Sequence, residues 1–148
     1  RIPEMLKLGI PVGLAVDGSA SNDGSNLLEE LRVAYLLHRL NSSSQAPDGY
    51  ELLKLATKGS AAVLGRSDIG SLEPGKAGDL FLIRKNRLEL VGADLDPKSM
   101  LGTVGFKGAV DYTVVNGKIV VRNGKLTGID EEKAVYEGKR AVNEYLNR

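Results

Sequence analysis

One carboxylate stands out because of its position in the sequence. Asp17 directly follows a short apolar run, residues 10–16, and precedes Gly18 and a loop rich in serine, asparagine and glycine. A carboxylate binds hard metal ions and carries protons between reaction steps, so Asp17 is a candidate metal ligand and proton shuttle. An Asp-Gly pair after a strand is also an ordinary turn, in which the aspartate only caps backbone amides. The dipeptide alone favours the turn.

Polar side chains follow Asp17 in the loop, and any of them could contact a substrate: Ser19, Ser21, Asn22 and Asp23. For each of them, hydrogen bonding and capping within the loop is the simpler interpretation. The loop is rich in glycine, but it has neither the Gly-x-x-x-x-Gly-Lys-Ser/Thr nor the Gly-x-Gly-x-x-Gly spacing. A phosphate-binding loop is therefore not expected.

The other candidate residues lie on the helix predicted after this loop. His38, the single histidine, continues a face that begins with Leu27 and Leu31, so packing is expected in place of metal ligation. Glu29 and Glu30 suggest a carboxylate pair for acid/base chemistry. We expect them instead to be solvated or paired with neighbouring basic residues on the helix surface.

The totals limit what this chain does by itself. One histidine and no cysteine cannot supply the three or so protein ligands of a catalytic zinc site, so Asp17 alone cannot retain a metal. The net charge is +1 and no basic cluster is present, which argues against a nucleic-acid partner. No apolar run is long enough to span a membrane, and the absence of cysteine fits the cytoplasm. We expect the isolated chain to be inactive.

The elements that position Asp17 have the rhythm of an α/β fold. A helix closing at Gly9 precedes residues 10–16, which lack polar alternation and therefore predict a strand buried on both faces in a parallel sheet. Asn26 caps a long helix to about residue 40, and Asp48 caps another that is interrupted at Gly59.

From residue 69 onward, the pattern is one of strands and turns. Residues 79–84 predict a strand, and the pairs Asn116-Gly117 and Asn123-Gly124 flank a β-branched run, which predicts a hairpin. Asp130 or Glu131 opens a last helix. The chain thus divides into an α/β piece, residues 1–65, and a small β unit with a helix, residues 66–148.

Four stretches, in order, closely resemble the end of amidohydrolase-superfamily deaminases. They are Gly13-Leu14-Ala15-Val16-Asp17-Gly18-Ser19-Ala20-Ser21-Asn22-Asp23, residues 52–65, residues 69–80 and residues 110–118. The resemblance implies the C-terminal end of a (β/α)8 barrel for residues 1–65, with the last strand and its flanking helices. It implies the C-terminal part of a composite β-sandwich with a terminal helix for residues 66–148. The chain, which begins at Arg1, is therefore expected to be a fragment.

The resemblance also implies a chemistry. In this family, histidines from earlier strands and the aspartate matching Asp17 hold one divalent metal, zinc or alternatively iron, and the aspartate takes the proton of the attacking water. Asn22 and Asp23 carry the narrower likeness to 8-oxoguanine deaminases and hydroxyatrazine-type aminohydrolases, and are the candidate substrate-binding residues.

The expected activity is hydrolytic deamination of a purine-like or triazine-like heterocycle, with 8-oxoguanine preferred. The complete protein is expected to be a homo-oligomer. This chain is also expected to require the remainder of the barrel as its partner. The alternatives are an adenosylhomocysteine- or guanine-type deaminase, a chlorohydrolase of the same superfamily, and a non-catalytic module that shares the fold.

Overall fold

The computed structural model describes residues 1–22 and 24–147. Asp23, one of the two predicted substrate-binding residues, lies outside the described residues. The chain forms two compact units: Arg1–Ala77 with Arg84–Gly108, and Gly78–Ile83 with Ala109–Arg148. The assignment of residues 1–65 to a barrel and 66–148 to a sandwich stays a prediction.

The first unit is helical. Its helices are α1 (Ile2–Lys7), α2 (Leu27–Ser42), α3 (Gly49–Lys54), α4 (Ser60–Val63) and α5 (Met100–Val104). A π-helical turn, Leu55–Gly59, joins α3 to α4, and short 3-10 turns occupy Ser43–Gln45, Leu88–Leu90 and Ala93–Leu95.

Both predicted N-caps are confirmed. The side chain of Asn26 accepts a hydrogen bond from the Leu28 backbone N–H at 3.1 Å, at the start of α2. Asp48 accepts from the Glu51 N–H at 2.7 Å, and the Glu51 carboxylate accepts from the Asp48 N–H at 2.8 Å. This capping box satisfies donors that the first turn of α3 cannot satisfy internally.

The predicted interruption at Gly59 is wrong. The backbone stays helical there, with φ −63° and ψ −48°, and only the hydrogen-bond spacing changes within the π-helical turn. A glycine stands at this position for steric reasons: a β-carbon would lie under 3.0 Å from the Val12 carbonyl oxygen. Gly59 therefore allows the helix to approach the segment before Asp17.

The core of the first unit lies where α5 packs against α2 and α3. Its buried apolar residues are Leu31, Leu52, Leu55, Ala61, Leu90, Leu101 and Phe106. The prediction of strand and turn throughout the second half is thus wrong for residues 88–104, which fold into short helical pieces. Such pieces depend on packing against α2 and α3, since they are too short to be stable alone.

Residues 10–16 are extended but form no strand ladder with the described residues. The predicted two-sided burial is also wrong for this chain: Val12, Leu14 and Val16 are half-buried, whereas the residues between them are exposed. One face of the segment packs on the helices, and within residues 1–22 and 24–147 no parallel strand covers the other face. An extended run of this kind needs partner strands to become part of a sheet.

The second unit contains a four-stranded antiparallel sheet in the order β1 (Leu80–Leu82), β2 (Tyr112–Val115), β3 (Lys118–Arg122) and β4 (Lys125–Leu126). The predicted hairpin is confirmed. Val115 pairs with Lys118 across Asn116-Gly117, and Arg122 pairs with Lys125 across Asn123-Gly124. Both residues of each turn have positive φ, which matches the twist of the strands they join.

The last helix, α6 (Glu131–Leu146), begins where the sequence predicts. The Asp130 side chain accepts from the Lys133 N–H at 3.0 Å and so caps it. Its apolar side chains, among them Val135, Val142 and Tyr145, are exposed. Within residues 1–22 and 24–147, no helix is long and apolar enough to cross a membrane.

Candidate functional site around Asp17

Asp17 lies at the end of the extended segment with its side chain exposed. Its φ of 64° is in the left-handed region, which aspartate tolerates better than most residues. Carboxylate oxygen Oδ1 accepts a hydrogen bond from the Gly18 N–H at 2.7 Å. Within the described part of the chain, Oδ2 has no hydrogen-bond partner, so one oxygen is available to a metal ion or a proton.

The loop after Asp17 is closed by backbone hydrogen bonds. The N–H groups of Ser21 and Asn22 both donate to the Gly18 carbonyl, at 2.8 and 2.9 Å. The side chains of Ser19 and Ser21 are exposed. The backbone of this turn is thus satisfied locally, which leaves the hydroxyl groups accessible to solvent or to a ligand.

Asn22 connects three parts of the site. Its amide nitrogen donates to the Val16 carbonyl at 2.7 Å and to the Glu30 carboxylate at 2.9 Å, and its amide oxygen accepts from the Gly24 N–H at 2.9 Å. Both amide protons are therefore used within the protein. These contacts hold the carbonyl directly before Asp17; the predicted substrate contact of Asn22 stays a prediction.

The segment that carries Asp17 is held against the turn between α3 and α4. The Ser60 hydroxyl accepts from the Leu14 N–H at 3.2 Å and lies 3.1 Å from the Leu14 carbonyl oxygen. Gly13 faces Ser60 so closely that a β-carbon on Gly13 would lie 2.9 Å from Ser60 Cα. The segment and the helix therefore meet backbone to backbone.

His38 contributes nothing to the neighbourhood of Asp17. It is half-buried on α2, and its Nδ1 lies 2.7 Å from the Ala34 carbonyl oxygen, which requires the Nδ1–H tautomer. The expectation that His38 packs in the helix agrees with this contact. Glu30, predicted to be solvated or paired with basic neighbours, instead accepts the hydrogen bond from Asn22.

A cavity of about 250 Å³ lies between the extended segment and helices α2 and α3. Its lining is mostly apolar and includes Val12, Leu14, Val33, Leu37 and Leu52. Asp17 is not part of this lining, so the cavity is separate from the carboxylate. Glu30 and His38 also line it, but both are hydrogen-bonded within the protein, to Asn22 and to the Ala34 carbonyl.

The residues around Asp17 fit a metal ion only in part. A carboxylate is a suitable ligand for zinc, but within residues 1–22 and 24–147 no group of three potential ligands from His, Cys, Asp and Glu lies together. The described residues therefore offer Asp17 as a single potential ligand and do not form a complete metal site.

The shifted carboxyl groups lie away from Asp17, in the turn of residues 66–77. A hydrogen bond from the Ser71 hydroxyl, with Lys76 and Lys58 nearby, lowers the pKa of Glu73. The Arg66 guanidinium donates a hydrogen bond to Asp68 and lowers the pKa of that carboxyl. Both groups are exposed, so these interactions stabilise a surface turn.

Two site residues escape prediction from the sequence. The sequence pattern predicts only that Ser60 begins a short apolar turn and that Glu30 is a surface carboxylate. A signal for Ser60 does exist: serine is a weak helix former, so a serine beside a glycine inside a helix indicates a specific side-chain contact. The identity of its partner cannot be read from the sequence, because Leu14 lies 46 positions earlier.

The comparisons with known proteins agree with the resemblance. The Amidohydrolase family matches residues 1–120. The chain is 50% identical over 133 residues to hydroxydechloroatrazine ethylaminohydrolase from Pseudomonas sp. (strain ADP), covering 88% of this chain and 28% of that protein. It is 43% identical over 127 residues to 8-oxoguanine deaminase from Pseudomonas aeruginosa, covering 86% and 28%.

A third relative is 5-methylthioadenosine/S-adenosylhomocysteine deaminase from Pelotomaculum thermopropionicum, 36% identical over 99% of this chain and 34% of that protein. The chain thus spans about a third of the length of these relatives.

Solved structures similar to this chain are those of a chlorohydrolase and a deaminase. Atrazine chlorohydrolase from Arthrobacter aurescens TC1 complexed with zinc has a TM-score of 0.84 and 39% identity, over 94% of this chain and 31% of that one. An adenosine deaminase from Xanthomonas campestris with bound zinc has a TM-score of 0.88 and 25% identity, over 99% and 34%.

Proposed function

The chain belongs to the amidohydrolase family, and we propose that it supplies Asp17 to the metal centre of a hydrolase that deaminates a nitrogen heterocycle. The observation that carries the proposal is the position of Asp17. It ends an extended segment, exposes one carboxylate oxygen that has no partner among the described residues, and stands in a stretch whose relatives are named as deaminases and aminohydrolases.

The remaining ligands are proposed to lie in the other two thirds of a protein as long as these relatives. A divalent ion, zinc by the proposal, would be held by Asp17 together with those ligands and would lower the pKa of a water molecule to about 7. The Asp17 carboxylate would accept a proton as that water forms a bond to the ring carbon, and would return it to the amine whose bond to that carbon breaks. The hydrogen bond from Gly18 to Oδ1 keeps the carboxylate in one orientation during both transfers.

We propose a purine-like or triazine-like substrate. The predicted preference for 8-oxoguanine is supported by the 43% identity to 8-oxoguanine deaminase, and a hydroxyatrazine-type substrate by the 50% identity to hydroxydechloroatrazine ethylaminohydrolase. Substrate contacts by Asn22 and Asp23 are part of the proposal, with Asn22 limited to its amide oxygen by the hydrogen bonds it already donates.

The test is a substrate panel for the complete protein that contains these residues. Zinc-loaded protein is incubated with 8-oxoguanine, guanine, adenosine derivatives, hydroxyatrazine-type triazines and a chlorinated triazine, and release of ammonia, alkylamine or chloride is measured. Turnover of at least one aminated ring is expected. Chloride release alone favours a chlorohydrolase, and the absence of all three products despite bound zinc contradicts the proposal and favours a non-catalytic module.

We also propose that the 148 residues are inactive by themselves. They contain one histidine, and His38 is engaged with its own helix. Equilibrium dialysis of the isolated chain against zinc is expected to give no stoichiometric binding at micromolar concentration, while the complete protein retains one ion. Stoichiometric zinc on the isolated chain would contradict this.

A further inference from the structure

One hydroxyl group joins the segment before Asp17 to the helical layer. Ser60 Oγ accepts a hydrogen bond from the Leu14 N–H at 3.2 Å. The same oxygen is 3.1 Å from the Leu14 carbonyl oxygen and 3.2 Å from the Leu55 carbonyl oxygen. The hydroxyl has one proton, so it donates to one of these carbonyls while it accepts from Leu14. Both backbone polar groups of Leu14 are therefore within reach of a single side chain.

The helix is shaped to bring Ser60 to this position. Leu55–Gly59 is a π-helical turn, and the Ser60 N–H donates to the Leu55 carbonyl five residues earlier. The extra residue in the turn rotates Ser60 relative to its place in a regular α-helix. π-Helical turns are uncommon and occur frequently at functional sites.

Glycines on both sides allow the close approach. A β-carbon on Gly13 would lie 2.9 Å from both Cα and Oγ of Ser60, and one on Gly59 would meet the Val12 carbonyl oxygen. Neither position tolerates a side chain without movement of the segment or the helix. The register between residues 12–14 and residues 59–60 is thus fixed by contact as well as by hydrogen bonds.

Asp17 is three residues from this contact. An extended chain rises about 3.3 Å per residue, so displacement of Leu14 along the segment moves Asp17 by a similar amount. The Asn22 amide links the Val16 carbonyl to Glu30 on α2, and Ser60 links Leu14 to the start of α4. Ser60 therefore fixes the segment before Asp17 on the α4 side, and Asn22 with Glu30 fixes it on the α2 side.

We propose that Ser60 is a positioning residue for metal binding, which holds Leu14 so that the Asp17 carboxylate reaches the metal ion. The proposal rests on the proposed function of Asp17 as a ligand. Outer partners of metal ligands commonly change metal affinity by 10- to 100-fold, and small misplacements of catalytic groups have effects of comparable size. A contact three residues away is expected at the lower end of this range.

The test compares Ser60→Ala with Thr57→Ala in the complete enzyme. Thr57 is a matched control because, among the described residues, its hydroxyl donates to carbonyls of its own helix, Leu53 at 2.8 Å and Lys54 at 3.4 Å. Three quantities are measured: the zinc dissociation constant by chelator competition, the hydrogen exchange rate of the Leu14 amide, and kcat and KM separately.

Ser60→Ala is expected to weaken zinc binding about tenfold and to lower kcat about tenfold, with KM within about twofold of the original value. The Leu14 amide is expected to exchange faster. Thr57→Ala is expected to leave zinc affinity and Leu14 exchange unchanged, although both variants remove a hydroxyl from the same helical stretch. A merely structural role of Ser60 would lower stability without changing zinc affinity in the folded protein.

Gly13→Ala tests the same contact from the other side. It leaves the hydroxyl in place but pushes Leu14 away from Ser60, so a similar loss of zinc affinity is expected. This variant serves if Ser60→Ala gives little folded protein. Zinc affinity equal to that of Thr57→Ala in both variants would overturn the proposal.

Asp17→Asn separates this proposal from the proposed function. If Asp17→Asn weakens zinc binding, and Ser60→Ala adds no further loss in that background, Ser60 acts through Asp17 as proposed. Independent losses that multiply in the double variant overturn the positioning role alone. Unchanged zinc affinity in Asp17→Asn overturns the role of Asp17 as a ligand, and the role of Ser60 with it.

Discussion

Within residues 1–22 and 24–147, polar residues with positive φ precede a glycine at three places, and they are held in two different ways. Asn116 and Asn123 have φ of 47° and 52°, and the glycine after each also has positive φ. Each pair closes a two-residue turn between paired strands. Asp17 has φ of 64°, but Gly18 does not share the left-handed conformation, and no strand pairing flanks it within the described residues.

The difference lies in what specifies each conformation. The hairpin turns are specified by an Asn-Gly pair between paired strands, whose twist the left-handed residues match, and the N–H groups of Asn116 and Gly117 also donate to Asp79 and Gly78 in the same compact unit. The position of Asp17 depends on Asn22 and Glu30 and on Ser60, which is far from it in sequence. A left-handed residue without such a turn costs about 1 to 3 kcal/mol, which the surrounding structure must offset.

The largest effect is expected from Asp17→Asn, which gives position 17 the residue type found at both hairpin turns. Asparagine adopts positive φ at least as readily as aspartate, so Asp17→Asn would be harmless if the residue only closed a turn. We expect kcat/KM of the complete enzyme to fall by about 10²- to 10⁴-fold, because a proton shuttle and metal ligand is lost.

The matched control is Asp94→Asn, which removes an exposed carboxylate 4.0 Å from Lys85. Its kcat/KM is expected to stay within about twofold, since exposed ion pairs contribute little. Steady-state ammonia release measures both variants. An Asp17→Asn enzyme that keeps more than a tenth of the activity would make Asp17 a turn residue like Asn116.

The next largest effect is expected at Gly59, where the helix packs closely against the segment before Asp17. Gly59→Ala places a β-carbon against the Val12 carbonyl oxygen and forces the segment and the helix apart. Overpacking of this kind is expected to lower the free energy of unfolding of the complete protein by about 1 to 3 kcal/mol. Chemical denaturation measures this change.

Gly128→Ala is the control for that measurement, because its β-carbon would meet no atom within 4 Å and its φ is not in the left-handed region. A change below about 1 kcal/mol is expected for it. Equal stability of the Gly59 and Gly128 variants would show that the segment yields to the added methyl group and is not fixed by the helix.

A smaller effect is expected in the hairpin itself. Gly117 has φ of 75°, so Gly117→Ala strains the turn and is expected to cost about 1 to 2 kcal/mol. Faster hydrogen exchange in β2 and β3 reports the loss, whereas zinc affinity is expected to be unchanged because Gly117 and Asp17 belong to different compact units.

Gly138→Ala in α6 is expected to change stability in the opposite direction. This glycine is in a helix interior with open space around it, where alanine is favoured by about 0.5 to 1 kcal/mol. Weaker zinc binding in Gly117→Ala would contradict the expectation that the hairpin turn does not affect the metal site.

The smallest effect is expected from the surface turn of residues 66–77. The pKa of Glu73 is lowered from its ordinary value of 4.5, so the folded state favours the carboxylate. Its contribution to stability is present above pH 4.5 and is lost as the pH falls through the lowered pKa. Glu73→Gln is therefore expected to reduce stability at pH 7 and to make no difference at the acidic end.

Denaturation at several pH values checks this pattern, with Glu132→Gln at an exposed position of α6 as the control. At pH 7 the control is expected to differ less in stability from the original protein than Glu73→Gln does. A stability difference for Glu73→Gln that grew as the pH fell would contradict the stated direction of the pKa shift.

The contrast between local and distant contacts also explains which features can be predicted from the sequence. The turns at Asn116 and Asn123 and the caps at Asp48 and Asp130 follow from residues within four positions, and all four are confirmed. The hydrogen bond from Leu14 to Ser60 cannot be predicted in this way, because no local pattern pairs two residues so far apart.

The same reasoning applies to the candidate site. The position of Asp17 after an apolar run marks it as a candidate functional residue, and the residues around it indicate the family of the chain. The bond between Asn22 and Glu30 depends on the path of the loop, so the sequence could not show that both amide protons of Asn22 are in use. The short helix α5 escaped prediction because its burial comes from α2 and α3.

The contact between Leu14 and Ser60 has a consequence for synthesis on the ribosome. Residue 60 is added 46 positions after residue 14, which takes about 2 to 9 seconds at 5–20 residues per second. During that interval, the Leu14 amide has no Ser60 hydroxyl to bind and the apolar segment stays uncovered. Translation speed across residues 14–60 therefore sets how long the extended segment that ends at Asp17 waits for its partner on the helix.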